Sequence, residues 1–262
     1  MMGFGQPQRI AFPHPIFWGA LLLAVSMGCV GTVKSRTEMR DVEVIPQNSQ
    51  AYVAKAQEDL AALQAKLRQD NGERANTLIR LAQSCCTVGE LAEADKRLDY
   101  FEKGKNYAEL LIRENPGWAD GYYWLGLNLC GVAEVGGAGR ALRILPDIVE
   151  ILEKAAAIDP TYDQAGPHRV LGRIYCEAPA WPISVGDIHK SLHHLELAVQ
   201  IAPDNTTNHL YLADTLLRLE KVKEAQAELD KVLKSTQHAL WPSGVEQDRK
   251  AARHLLVKLN SR

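Results

Sequence analysis

Aromatic residues make up only 6% of this 262-residue chain, and alternating runs of β-branched residues are nearly absent, which argues against a β-sheet core. Charge of one sign is also missing: 30 Lys and Arg stand against 32 Asp and Glu, for a formal net charge of -2. Such an even mixture creates no field that would gather nucleic acid, so no nucleic-acid partner is expected. The longest apolar run, Ile16 to Val25, is about ten residues, where a membrane span takes roughly 20. Catalytic signatures are lacking too. There is no Gly-x-Ser-x-Gly and no His-Glu-x-x-His, and Gly136-Gly137-Ala138-Gly139 is not followed by the Lys and Ser or Thr of a phosphate loop. The eight histidines show no zinc-ligand spacing, His193 and His194 being adjacent and so on different helix faces, and no Cys-x-x-Cys occurs. The expectation is a protein that is not an enzyme and uses no cofactor or metal.

What is present favours helix. Hydrophobic residues make up 46%, enough for a sizeable core, and from about Ser49 onward Ala, Leu, Glu, Lys and Arg recur, the strongest helix formers. The preceding residues read as an address. Arg9 is followed by the apolar run and then by Ser26-Met27-Gly28-Cys29, as in a signal peptide over 1–28. That tetrad resembles a bacterial lipobox, although Ser26 and Met27 depart from its preferred residues. The resemblance implies acylation of Cys29. The alternatives are cleavage after Ser26 and an uncleaved anchor over Phe12 to Val30. Val30 in place of Asp after the cysteine implies, by the sorting rule of such lipoproteins, a lipid anchor in the outer membrane with the protein facing the periplasm. Residues 29–48 carry polar residues without periodicity and read as a tether, leaving 49–262 as the folded part.

An internal period appears in that part. Four segments share the pattern large-x-x-Leu-small-x-x-large: Leu78 to Cys85, Tyr122 to Leu129, His168 to Tyr175 and His209 to Leu216. Each is followed by a second series at constant spacing: Gly104, Ala108, Leu111, Pro116; Ile148, Leu152, Ala155, Pro160; Ser191, Leu195, Ala198, Pro203; and Ala225, Leu229, Val232. These spacings resemble the tetratricopeptide repeat from roughly Arg74 to Lys234, which implies an all-α solenoid of about four helix pairs. The small residue beside each key leucine (Ala82, Gly126, Gly172, Ala213) lets two backbones approach, and the prolines end the second helices. Asp159-Pro160-Thr161 and Ala202-Pro203-Asp204-Asn205 read as stops followed by new N-caps. A helix from about Ser49 to Gln69 is expected to cap one end and one from Val245 to Leu259 the other.

From key leucine to closing proline the distances are 35, 35 and 32 residues (Leu81 to Pro116, Leu125 to Pro160, Leu171 to Pro203), against about 25 in the uninterrupted motif. Inserts are therefore expected between the helices of the first three repeats, a flexible one over Gly131 to Gly139 and a stiff one over Ala178 to Asp187. Inserts of this kind project from one face, often the binding one.

The order Gly166-Pro167-His168-Arg169-Val170-Leu171-Gly172-Arg173-Ile174-Tyr175, then Ala178-Pro179-Ala180-Trp181-Pro182, then Asn208-x-x-Tyr211-Leu212-Ala213-Asp214 is similar to the T component of tripartite TRAP transporters. That resemblance implies a periplasm-facing lipoprotein that partners an extracytoplasmic solute-binding protein, with an apolar ligand and homo-oligomers within its repertoire. The other reading is an assembly scaffold for envelope proteins with no small-molecule ligand.

The candidate groove or ligand residues are Arg169, Arg173, Tyr123, Leu127, Cys130 and Trp181. Arg169 and Arg173, one helical turn apart, suit a carboxylate clamp; the plainer reading is a surface pair of Arg173 with Glu177. Trp118, Tyr123 and Trp181 suit an apolar cleft or the packing of an insert. Cys86, Cys130 and Cys176 hold equivalent positions and read as a row of buried small hydrophobes, with disulfides among Cys85, Cys86, Cys130 and Cys176 as the alternative. Regular stacking places neighbouring equivalents about 8–10 Å apart, beyond the reach of a bridge.

Overall fold

The computed structural model describes residues 49–68, 73–235 and 242–260; the expected signal segment, Cys29 and the tether lie outside the described residues. The described chain folds into α1 (Ser49–Leu67), α2 (Arg74–Leu91), α3 (Ala94–Glu114), α4 (Ala119–Val135), α5 (Ala138–Ile158), α6 (Tyr162–Glu177), α7 (Ile188–Ile201), α8 (Thr206–Arg218), α9 (Val222–Lys234) and α10 (Pro242–Asn260). None of these helices is long and apolar enough to cross a membrane. Both capping helices, α1 and α10, form where the apolar stripes place them.

The prolines act as expected. Asn115, Asp159 and Ala202, each directly before a proline, leave the helical region with φ of -137°, -145° and -131°, because the proline ring crowds an α-conformation at the preceding residue. The new starts differ. The Asn205 side chain accepts from the Asn208 amide at 3.0 Å, a true N-cap, whereas Thr161 caps nothing and instead donates its own N–H and hydroxyl to Asp159 Oδ1 at 2.9 and 2.6 Å.

Within each repeat the key small residue sets the helix spacing. A Cβ on Gly126 would sit 2.6 Å from Leu152 Cδ2, and one on Gly172 would sit 2.5 Å from Leu195 Cγ. The leucine of the second helix therefore fills the place that a side chain would take, and both leucines are fully buried.

The extra residues of the first two repeats do not project as loops. Helices α2 and α3 have 18 and 21 residues and α4 and α5 have 17 and 21, against 13 each in α8 and α9. The added length extends the helices and leaves turns of two residues, Ala92-Glu93 and Gly136-Gly137. The expected flexible insert over Gly131 to Gly139 is thus the end of α4, a turn at Gly137 with φ +76° and the start of α5. The glycines misled because Gly131 serves close packing, a Cβ there meeting Phe101 at 2.4 Å. Only the third repeat carries a real insert, 178–187 between α6 and α7.

The first helices of the pairs form a continuous inner layer, α2 on α4, α4 on α6 and α6 on α8, whereas α3, α5 and α7 each pack on their own and the following inner helix and not on one another. The inner layer is therefore the tight side of the curve. Its helices are covered nearly all round: in α4 every residue from Ala119 to Ala133 except Asp120 and Leu129 is buried. The core runs through α2 to α6, continues as a second cluster over α7 to α10, and is closed at the start by Leu60 and Leu63 of α1 against Leu81 and Cys85.

Gly104 of α3 faces Asn128 of α4, whose fully buried amide donates to Ala82 O at 3.1 Å and to Trp124 O at 2.8 Å. A Cβ at Gly104 would lie 2.0 Å from Asn128 Oδ1. Gly104→Ala gains about 1 kcal/mol of helix propensity but overpacks the contact and breaks a buried hydrogen bond. A net loss of about 2 kcal/mol is expected in urea unfolding, and a stabilised variant would contradict this account of the interface.

Candidate functional site

The groove side of the inner layer is filled by the protein's own polar side chains. At the start of α6, Asp163, Gln164 and Ala165 have φ of 48°, 56° and 63°, a left-handed turn that costs roughly 1–2 kcal/mol per residue. Arg169 holds it. Its Nη1 donates to Asp163 O and Gln164 O, both at 3.2 Å, and to Asn208 Oδ1 at 3.3 Å, while Nη2 donates to Asp163 Oδ2 at 2.7 Å. Tyr123 of α4 donates its hydroxyl to the same carboxylate at 2.5 Å, and Asn208 of α8 donates to Gln164 O at 3.2 Å. Three successive inner helices thus meet on one guanidinium.

One helical turn on, Arg173 donates to Asp214 Oδ2 at 2.7 Å and pairs with Glu177 Oε1 at 2.9 Å. Arg218 of α8 completes a square, reaching Glu177 at 2.5 Å and Asp214 at 3.3 Å. Arg173 also lies over the Tyr211 ring, 4.9 Å from its centre. Burial pushes the Asp214 carboxyl up, but Arg173 and Arg218 outweigh it and hold it below the usual carboxylate range. The two cations and two anions cancel.

Arg169 and Arg173 are therefore not a free clamp, nor is Arg173–Glu177 a pair on a solvated face: both arginines are buried and already bound to carboxylates of this chain. Tyr123, Leu127 and Cys130 are likewise buried in the interior. Cys85, Cys86, Cys130 and Cys176 are free, buried thiols. Burial pushes Cys85 up to about 12 and raises the others, which leaves them as inert apolar filling. Cys176, Glu177 and Asp214 bring ligand atoms within 4.8 Å of one another, but the two guanidiniums already saturate the carboxylates and would repel a cation there.

Trp181 has the opposite fate. It is 85% exposed and Ile183 61%, at the tip of the 178–187 insert. The insert is tightly tied: Ile183 N donates to Ala180 O at 3.0 Å, Gly186 N to Pro179 O at 2.9 Å and Asp187 N to Tyr175 O at 2.9 Å. Asp187 then caps α7 by accepting from His189 N and Lys190 N. A Cβ on Gly186 would fall 2.1 Å from Ala178 O, so the loop closes only on glycine. No charged residue occurs from Ala178 to Gly186. The result is a rigid, uncharged knuckle presenting Trp181, Pro182 and Ile183. Trp118, 42% exposed before α4, and interior Tyr123 do not join Trp181 in one cleft.

The family model described as regulator of microtubule dynamics protein 1-3 matches residues 44–177, just over half of the chain. The chain belongs to this family. A tetratricopeptide-repeat model matches residues 183–241. The fold is similar to that of a thermophilic tetratricopeptide-repeat protein from Thermus thermophilus, with a TM-score of 0.59 over 79% of this chain and 94% of that one at 20% identity. No curated protein matches the chain. The microtubule-regulator match ends with α6 and the repeat match begins at Ile183, so residues 178–182, with Trp181 among them, fall in neither. The all-α, tetratricopeptide-type repeat architecture is thereby shown.

The partners of the buried arginines escaped sequence reading because they come from the next repeat, 41 residues away for Asp214 and 39 for Asn208. The one available signal was Asn208-x-x-Tyr211-Leu212-Ala213-Asp214, which places both polar residues on the helix that stacks on α6. A further buried acid ties the terminal cap: Asp248 of α10 accepts from Thr206 Oγ1 at 2.6 Å and Thr207 Oγ1 at 2.8 Å. Burial pushes its carboxyl up to about 6, against the opposing pull of those hydroxyls. The folded protein therefore holds this proton more tightly than the unfolded chain. The resulting stability is fully present below about pH 4 and lost as pH rises through 6. Asp248→Asn is expected to match the wild type in urea at pH 4 and to exceed it by about 2–3 kcal/mol at pH 8. Equal midpoints at both pH values would refute the assignment.

Proposed function

We propose that the chain is a non-enzymatic, membrane-tethered scaffold that binds a partner protein through the Trp181–Ile183 knuckle. The carrying observation is the exposure of a tryptophan and an isoleucine on a loop that is otherwise fixed by hydrogen bonds. A large ring held rigid in water loses little entropy on docking, and tryptophan is among the residues that dominate interface energies. The partner chemistry is a protein surface with an apolar, ring-accepting pocket. Filling of the groove by Arg169, Arg173 and their carboxylates favours a scaffold over a solute-binding cavity. The family takes its name from regulators of microtubule dynamics; what carries to this chain is recognition of a protein by a shared helical scaffold.

The finer reading rests on the resemblance to the TRAP T component and on Cys29: a lipid anchor in the outer membrane, facing the periplasm, with an extracytoplasmic solute-binding protein as the first partner to test. An envelope-assembly scaffold is the alternative, and it uses the same knuckle.

A photoreactive phenylalanine at position 181 in the full-length protein is expected to give one discrete protein adduct in native membranes, with none from position 103 on the outer face of α3. Adducts with lipid alone would overturn the reading. Against the adduct protein once purified, Trp181→Ala is expected to weaken binding by about 2 kcal/mol, roughly 30-fold, with the helical circular dichroism unchanged. Cys29→Ser is expected to abolish incorporation of labelled palmitate and to move the protein from the membrane to the soluble fraction; retention on the membrane without label would instead point to the uncleaved anchor.

A further inference from the structure

The insert 178–187 leaves and rejoins the molecule at the last turn of α6, and three successive carbonyls of that turn are satisfied in three different ways. Ala178 N donates to Ile174 O at 2.9 Å, the last bond of the regular helical pattern. The next donor in that pattern is residue 179, a proline without an N–H. Tyr175 O instead accepts from Asp187 N, at the far end of the insert, at 2.9 Å. The third carbonyl, Cys176 O, accepts from Arg218 Nη1 at 3.0 Å. That donor comes from α8 in the next repeat, 42 residues away.

These bonds make the insert a rigid body on a narrow neck. Its interior is closed by Ile183 N on Ala180 O, by Gly186 N on Pro179 O and by the isolated bridge between Ala180 and Gly186. The motion left to such a body is a swing about residues 178 and 187, and the contacts beyond the neck decide its tilt. One is Val185, which packs on the core cluster of α2 to α6. The other is Arg218. Besides Cys176 O, its Nη2 reaches Glu177 Oε1 at 2.5 Å and Asp214 Oδ2 at 3.3 Å, and buried Glu177 directly precedes the insert. A guanidinium presents its donors in a fixed fork and holds a carbonyl and two carboxylates at once, a geometry that a single ammonium lacks. The charge also stands at the C-terminal end of α6, where the helix dipole favours a cation.

We propose that Arg218 is the positioning residue of the knuckle: from the fourth repeat it fixes the tilt at which the third repeat presents Trp181 and Ile183 to a protein partner. This rests on the knuckle being the docking surface, and it adds a means of regulating that surface. Whatever loosens α8 on α6 weakens a site that α8 does not itself carry. By linkage, a partner seated on the knuckle strengthens the contact of α8 with α6 by the same free energy.

The test uses Arg218→Lys in the full-length protein, which keeps a cation beside Asp214 and loses the fork, with Arg140→Lys at the half-exposed pair with Glu102 as the control. Amide hydrogen exchange at Asp187 is expected to quicken at least about tenfold in Arg218→Lys, with the amides of α4 and α9 as internal references that stay as in the wild type. With 5-fluorotryptophan incorporated, the fluorine resonance of Trp181, assigned through Trp181→Phe, is expected to shift or broaden in Arg218→Lys and to stay in Arg140→Lys. The Trp124 resonance stays in both. An unchanged Asp187 amide, an unmoved Trp181 resonance, or equal acceleration throughout α4 and α9 would each overturn the proposal. Against the protein captured from position 181, Arg218→Lys is expected to weaken binding about tenfold with Trp181 intact. If Trp181→Ala weakens that binding and Arg218→Lys does not, the positioning role alone falls. If Trp181→Ala leaves it unchanged, the knuckle falls as a docking surface, and the regulation proposed for it falls too.

Discussion

The solenoid depends on two arginines placed where water cannot reach them. An isolated buried guanidinium would be prohibitive, and a broken buried pair costs about 3–5 kcal/mol, so Arg169 and Arg173 tolerate only one arrangement of α4, α6 and α8. Arg169 needs the left-handed turn at Asp163–Ala165, because that turn points two carbonyls and a carboxylate at one guanidinium. Arg173 needs Asp214 from the next repeat. Apolar packing between repeats tolerates sliding; this charge lattice does not. We therefore assign it the registry of the stack, with the leucine-into-glycine contacts supplying the adhesion.

The same lattice determines where the protein can act. In a regular helical repeat the tight side of the curve offers a groove for a peptide. Here the side chains that would line that groove are spent on one another, and the inner helices are buried around most of their circumference. What remains accessible is the outer surface of paired helices and the one insert that did not become helix. Residues 178–187 remain a loop because Pro179 and Pro182 bar a continued α6, and because Gly186 permits the loop to close against Ala178 O. In the first two repeats the extra residues lengthened the helices, and the one proline there, Pro146, is accommodated inside α5.

That contrast separates what the amino-acid order makes legible from what it hides. Helix pairing, the stops at Pro116, Pro160 and Pro203, both caps and the buried thiols follow from local spacing. A count of inserted residues cannot distinguish a loop from two longer helices. Gly131 looked like flexibility and is a contact with Phe101. The candidate site was legible only as residue types. Arg169 and Arg173 stand out by type and spacing, yet their meaning lies in Asp214, Asn208 and Tyr123, whose proximity is created by stacking and not by sequence distance. Trp181 could be read as a packed or an exposed ring until the loop's hydrogen bonds fixed which way it stands.

The contact between His168 of α6 and His194 of α7, Nδ1 to Nδ1 at 3.0 Å, follows from the same logic. His168 and His194 belong to the two helices of the one repeat whose connection is a loop, and so to the pair with the least covalent restraint between its members. α2 with α3 and α4 with α5 are joined by two-residue turns that fix their mutual position. α6 and α7 are held by Leu195 packed on Gly172 and by His194 against His168 and Tyr175. The loop that presents Trp181 springs from the ends of these two helices, so any change in their spacing moves the knuckle.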